Sequence, residues 1–236
     1  MKPKPSSGDA AAKAGTPAIL FDLDGTLLDS SYEHVGAWRD AFRQDGVIVA
    51  DARIHRRIGM SGKLLVRAVL VEMGKRPAPE KIERLEMLHK RYFARRLPEI
   101  RPLPGARELL RHLSKARIRW AIATSGDRET VRKMIQPLKV PAGIPVVTGD
   151  DVERAKPEPD VFLAAATRLS VSLSDCFVVG DSIWDLLAAR RAKALGVGLL
   201  SGGFGQAELE GAGAYRVYGD PAGLLERITE LGIPPA

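Results

Sequence analysis

Only one cysteine, Cys176, stands among 236 residues. That excludes an intrachain disulfide and suits a reducing compartment; inside its strand-like run it reads as a small core residue. No apolar run approaches the ~18 residues of a membrane span. The stretch from Met1 to Thr16 mixes Lys, Pro, Ser, Gly and Ala without the apolar centre of a signal peptide, so residues 1–16 are expected to be a disordered tail and the chain cytoplasmic. Zinc-ligand spacing and nucleic-acid-binding signatures are missing, as are internal repeats. The run Gly202-Gly203-Phe204-Gly205 lacks the full dinucleotide fingerprint and reads as a turn.

What is present is an ample core and an excess of positive charge. Hydrophobic residues make up 45% of the chain and its net charge is +7. A basic protein attracts anionic esters and speeds their encounter. The stretches 53–57 and 90–96 also invite nucleic acid, but Arg and Lys recur on exposed helical faces without it. Neither nucleic acid nor membrane is expected as a partner.

The most informative residues are Asp22 and Asp24, delivered by the apolar run 18–21 to a turn at Gly25. Two carboxylates this close repel each other, so a cation, a shared proton or a division of labour must compensate. A calcium loop is disfavoured, because Leu27 stands where its required glycine belongs. Three later segments end apolar runs in the same manner: Thr124-Ser125-Gly126, Lys156-Pro157-Glu158-Pro159-Asp160, and Gly180-Asp181-Ser182-Ile183-Trp184-Asp185. Pro157 and Pro159 suit a first helical turn.

This ordered set resembles the haloacid dehalogenase-like superfamily of phosphohydrolases and phosphomutases, in particular its phosphoglycolate phosphatase and β-phosphoglucomutase-like branch. The resemblance implies Asp22 as nucleophile, forming an aspartyl phosphate, and Asp24 as the acid and then base. An acid at Asp24 disfavours carbon–halogen cleavage. Thr124 would hydrogen-bond the transferring phosphoryl group, with help from backbone N–H groups at the following helix start; it can equally be a helix cap. Lys156 would neutralise charge at Asp22. The implied metal is Mg²⁺, held by Asp22, Asp181 and the backbone carbonyl of Asp24, with Asp185 one helical turn on orienting its water. Ser125 and Gly126 are further substrate-binding candidates.

Strand-like and helical runs alternate from Pro17, which predicts an α/β fold with a parallel sheet. Strands are expected near 18–22, 118–124, 144–148, 175–180 and 196–200, with 214–218 a possible edge. Helices are expected at Ala106–Ala116, Asp127–Ile135, Glu158–Leu169 and Ser182–Leu195. From 31 to 101 only helix signatures occur, at Tyr32–Gln44, Gly62–Glu72 and Pro79–Arg96. The expected architecture is a Rossmann-like parallel-sheet core (17–30 and 102–236) with a small all-helical cap (31–101) inserted after the first strand. Within the cap, Arg57 either reaches the substrate or lies outside a helix starting near Ser61. His34 either helps gate the acid or packs near Trp38.

The resemblance thus implies a Mg²⁺-dependent phosphatase acting on a small phosphorylated metabolite, sugar phosphate ahead of phosphoglycolate, as a monomer or weak dimer. The alternative is a β-phosphoglucomutase-like mutase. Such mutases carry a Lys after the second motif, whereas Asp127 here would repel a second phosphate.

Overall fold

The computed structural model describes residues 17–235; the expected disordered tail lies outside them. Ala18–Phe21 forms β1, and Leu28–Asp29 forms β2. Four helices follow: α1 (Ser31–Gln44), α2 (Asp51–His55), α3 (Gly62–Glu72) and α4 (Pro79–Ala94). The chain returns through β3 (Arg101–Pro102), α5 (Ala106–Lys115), β4 (Trp120–Ala123), α6 (Arg128–Met134), β5 (Val146–Val147) and α7 (Asp160–Arg168). It ends with β6 (Cys176–Gly180), α8 (Ile183–Arg191), β7 (Leu195–Leu199), α9 (Gln206–Ala212), β8 (Ala214–Tyr218) and α10 (Pro221–Glu226).

Six strands make one sheet in the order β5-β4-β1-β6-β7-β8, with every pairing parallel. Strand β1 lies between β4 and β6 and is buried on both faces, which is why it reads as an unbroken apolar run. Ile19 and Phe21 face one layer, with Trp120, Ile122 and Val179. Ala18 and Leu20 face the other, with Ala121, Val178 and Phe162. Burial of each large side chain contributes about 1.5–3 kcal/mol, enough to hold the strand ends in place although several carboxylates crowd there.

Helices α1–α4 bury a separate apolar cluster that includes Val35, Phe42, Leu65 and Leu85. This all-helical insertion follows the first strand, as expected. A two-residue antiparallel pair, Leu28–Asp29 against Arg101–Pro102, closes its neck. That pair had no sequence signal, because two residues are too short to show a period.

Other differences are local. The strand expected at 144–148 is only Val146–Val147. Helix α7 begins at Asp160 with Pro159 as its N-cap, so Pro157 precedes the helix instead of opening it. Helix α8 is capped by Ser182 and ends at Arg191, leaving Leu195 to begin β7. Short α2, α9 and α10 went unforeseen, each too brief for a clear helical period.

Candidate active site

Because the strands are parallel, the residues after β1, β4 and β6 emerge at one edge of the sheet, where open α/β folds bind ligands. Asp22, Thr124 and Asp181 occupy those positions and all three are buried. Asp22 continues the sheet through its N–H, which donates to the Val179 carbonyl at 2.9 Å. Gly25 then takes a φ of 74°, a left-handed turn glycine adopts without strain. A Cβ there would lie 2.4 Å from Asp181 Oδ2, and one at Gly202 only 1.7 Å from the same oxygen. These two glycines make room for the Asp181 carboxylate.

Lys156 is fully buried and joins Asp22 to Asp185. Its ammonium donates to Asp22 Oδ1 and lies 2.8 Å from Asp185 Oδ1. Asp185 Oδ2 accepts from the Ser182 hydroxyl at 2.6 Å and from the Ser182 N–H at 3.1 Å. The expected role of Asp185 therefore gains a part that the sequence did not suggest: it anchors the lysine. Burial alone would discharge Lys156, but Asp185 and Asp22 outweigh it and hold the ammonium above its ordinary range.

The acids respond differently. Burial pushes Asp22 up to about 7, with Lys156 opposing and Asp185 and Asp24 reinforcing. Burial, Asp185 and Asp22 likewise push Asp181 well up, against the Thr26 hydroxyl that donates to its Oδ1 at 2.9 Å. Burial also acts on Asp24, yet His34 and Ser30 overrule it and keep that carboxyl below its ordinary value. Ser30 donates to Asp24 Oδ1 at 2.6 Å, and His34 Nε2 lies 3.1 Å from the same atom. His34 does not pack on Trp38 directly in a ring stack; it stacks on Phe93, with centroids 3.8 Å apart.

Oxygens of Asp22, Asp181 and Asp185 lie within 4.8 Å of one another. Three buried carboxylates against one lysine leave negative charge uncompensated, and the donor set is all oxygen, which suits a hard divalent cation. The Asp24 carboxylate is turned away from this group toward Ser30 and His34, so only its backbone is left for that role.

Thr124 Oγ1 accepts from the Gly126 N–H at 3.1 Å, which leaves its own proton free for a ligand. At the helix start behind it, two of the N–H groups are already used. Asp127 caps α6 by accepting from the Thr130 N–H, and Gly126 spends its N–H on Thr124. Ser125 donates to the Gly59 carbonyl of the helical insertion at 3.3 Å. Asp127 pairs with Lys90 of α4 at 3.2 Å, so its charge is compensated and the repulsion expected of it toward a second phosphate is weakened.

Arg57 is corrected outright: it is not brought to the site. Its guanidinium pairs with Glu72 at 2.5 Å and donates to the Arg53 carbonyl. Ser61 instead caps α3, accepting from the Leu64 N–H. The wall contributed by the insertion is residues 58–65 with Trp38, Glu86, His89, Lys90 and Phe93. Of these, Lys90 opens the basic stretch 90–96 that read as an exposed helical face, and its partner is far away in sequence.

The site opens into a cavity of about 1010 Å³ between the sheet edge and the helical insertion. Three of its other cations each pair with an acid: Lys90 with Asp127, Arg154 with Asp160, and Arg191 with Glu158. A smaller cavity of 330 Å³, flanked by Arg107, Arg111, Lys115 and Lys139, contains none of these carboxylates.

Residues 16–193 match the family model described as haloacid dehalogenase-like hydrolase. Hexitol phosphatase A of Escherichia coli is 36% identical over 166 residues, covering 70% of this chain and 74% of the relative. Validoxylamine A 7'-phosphate phosphatase of Streptomyces hygroscopicus is 32% identical over 182 residues, covering 76% and 84%. The crystal structure of a hydrolase from Pseudomonas syringae superposes with a TM-score of 0.89 at 48% identity, covering 91% of this chain and 99% of that one.

Proposed function

From a chain that belongs to the haloacid dehalogenase-like hydrolases, we infer a phosphoric monoester hydrolase that releases phosphate from a small sugar or polyol phosphate. The observation that carries the substrate class is the pairing of three of the cavity's cations, Lys90, Arg154 and Arg191, with carboxylates. A leaving group bearing its own anion, such as glycolate or a second phosphate, meets those three cations already paired. A neutral polyol finds alternating donors and acceptors, at Lys63, Glu86, Lys90 and Asp127. The phosphatase relatives support the same reading.

Asp22 has one oxygen committed to Lys156, so Oδ2 is the atom available to attack phosphorus. The bond to the leaving oxygen breaks, and Asp24, which His34 and Ser30 hold below its ordinary value in the free protein and which must therefore gain a proton when the ester binds, donates that proton to the leaving oxygen. Asp24, now a carboxylate, removes a proton from water; the water oxygen attacks phosphorus and the bond to Asp22 breaks, freeing phosphate. Thr124 and Lys156 stabilise the phosphoryl oxygens throughout. Mg²⁺ fits the site, with Asp22, Asp181 and the Asp24 carbonyl to hold it and Asp185 to orient its water; when bound, it offsets the repulsion between Asp22 and a phosphate dianion.

The test is phosphate release with Mg²⁺ against a panel containing a hexitol phosphate, hexose phosphates and phosphoglycolate, for the wild type and Asp22→Asn. Turnover of the polyol and sugar esters that the substitution abolishes is expected. A preference for phosphoglycolate would overturn the substrate class. No release from any ester, together with isomerisation of a hexose 1-phosphate primed by a bisphosphate, would overturn the hydrolase reading.

A further inference from the structure

The pair Gly202-Gly203, which by sequence reads as a turn, separates two buried side chains, Asp181 and His55. A Cβ on Gly202 would collide with the Asp181 carboxylate. One on Gly203, whose φ is 93°, would lie 2.9 Å from His55 Nε2 and 2.6 Å from the Tyr32 hydroxyl. His55 is the last residue of α2 in the helical insertion, and it takes no part in the phosphoryl chemistry. Its Nε2 lies 2.7 Å from the carbonyl oxygen of Gly202, 147 positions further along the chain. A carbonyl oxygen only accepts, so Nε2 carries the proton and donates, whether the ring is neutral or charged.

We propose that His55 is a positioning residue: it fixes the turn that cradles Asp181, and thereby ties Mg²⁺ binding to the docking of the helical insertion on the sheet edge. The proposal rests on the reading of Asp181 as a Mg²⁺ ligand. The sheet domain itself holds that carboxylate on its other sides. Thr26 donates to Oδ1, and Gly25 packs against Oδ2. Ser201 in turn donates to the Gly25 carbonyl at 2.6 Å, which joins the two glycine walls of the cradle. Gly202, packed against the same Oδ2, is held from the insertion.

The imidazole is fixed in its turn. It stacks on Tyr32, with centroids 5.1 Å apart and planes within 14°, and lies against Phe204 at 5.2 Å. Beside it, Arg56 pairs with Glu208 at 2.5 Å and its carbonyl accepts from Trp184 Nε1 at 3.1 Å. Those contacts are exposed and bring α2 to the turn, but an exposed ion pair contributes little. The His55 hydrogen bond is buried and ends on the cradle. Without it the Gly202 carbonyl loses that donor, and a pair of glycines, with no side chain to anchor either residue, is free to shift from Asp181. Mg²⁺ demands near-ideal octahedral geometry, so the groups that orient its ligands set its affinity. The coupling is reciprocal: whatever docked His55 adds to Mg²⁺ affinity, bound Mg²⁺ adds to docking. The metal-loaded protein is then the one whose insertion stays closed over the ester.

The test titrates Mg²⁺ calorimetrically into the full chain and three variants. His55→Phe keeps a ring against Tyr32 and Phe204 but has no N–H. His55→Gln carries an amide about as far out as Nε2, and His55→Asn carries the same amide but stops short of the carbonyl. The Mg²⁺ Kd should rise about 3- to 10-fold in His55→Phe and His55→Asn, and stay within about twofold of the wild type in His55→Gln. Saturating Mg²⁺ should slow hydrogen exchange at the amides of Arg56, Arg57 and Ile58 in the wild type and not in His55→Phe. An unchanged Kd in His55→Phe, equal losses in His55→Gln and His55→Asn, or a Mg²⁺ effect on exchange that survives in His55→Phe would overturn the proposal while Asp181 remains a ligand. Asp181→Asn separates the two readings. If it binds Mg²⁺ as tightly as the wild type, or if the wild type binds none, the ligand reading falls and the coupling with it.

Discussion

Replacing Asp22, the proposed nucleophile, should abolish activity and yet stabilise the metal-free protein. Asp22 is 4% exposed and shares one lysine with Asp185, and burial raises it from 3.8 to about 7. Between those values the folded protein binds more protons than the unfolded chain, so stability falls as pH rises through that window. By pH 8 the ionised carboxylate costs about 4 kcal/mol. Asparagine removes that cost but accepts only a weaker hydrogen bond from Lys156, which returns about 1–2 kcal/mol of it. The expected net gain for Asp22→Asn at pH 8 is about 1–3 kcal/mol. At pH 4, where the folded state keeps the proton and the unfolded chain is only about half ionised, the gain should shrink to about 0.5 kcal/mol or less. Urea denaturation of both proteins in EDTA at pH 4 and pH 8 measures this directly. A destabilised Asp22→Asn at pH 8, or the same difference at both pH values, would refute the reasoning. Adding Mg²⁺ should stabilise the wild type more than the variant, because the cation supplies the missing counter-charge.

Three further outcomes can be measured. Burial raises Asp151, but the Thr148 N–H and hydroxyl and the Arg168 guanidinium overrule it and hold it well below its ordinary value. Its contribution is complete above about pH 4 and falls away as pH drops toward the lowered value, so Asp151→Asn should cost about 2 kcal/mol at pH 7 and measurably less at pH 2, read by denaturation at the two pH values. Gly202→Ala places a methyl 1.7 Å from Asp181 Oδ2 and should weaken Mg²⁺ binding in a calorimetric titration. Gly211→Ala, in α9 with nothing within 4 Å of its Cβ, should be neutral or stabilise by about 0.5–1 kcal/mol.

How much of this was legible in the chain itself depends on how far apart the interacting residues lie. The apolar runs behind Asp22, Thr124 and Asp181 read as strands because β1, β4 and β6 are buried on both faces and carry no polar alternation. Once those strands are parallel, the residues that follow them must emerge together, so the grouping of Asp22, Thr124 and Asp181 was implicit in local pattern. The long helices α1, α3 and α4 were likewise visible in their periodicity.

Tertiary structure alone decided which partner each charge takes. Arg57 and Lys90 are both basic residues of the helical insertion, and nothing local distinguishes them. Arg57 meets Glu72 at the end of α3 and is lost to the site, whereas Lys90 reaches Asp127 across the cavity. Asp185 sits one turn from Asp181, yet its oxygens go to Lys156 and Ser182. His89 lies 55 residues from His34, in a helix whose sequence shows only amphipathic periodicity. Secondary structure follows from the spacing of apolar side chains along a few turns of chain, and that spacing is written in the sequence. Ion pairs and hydrogen bonds are decided within about 3 Å, between side chains that only the packed fold brings to that distance.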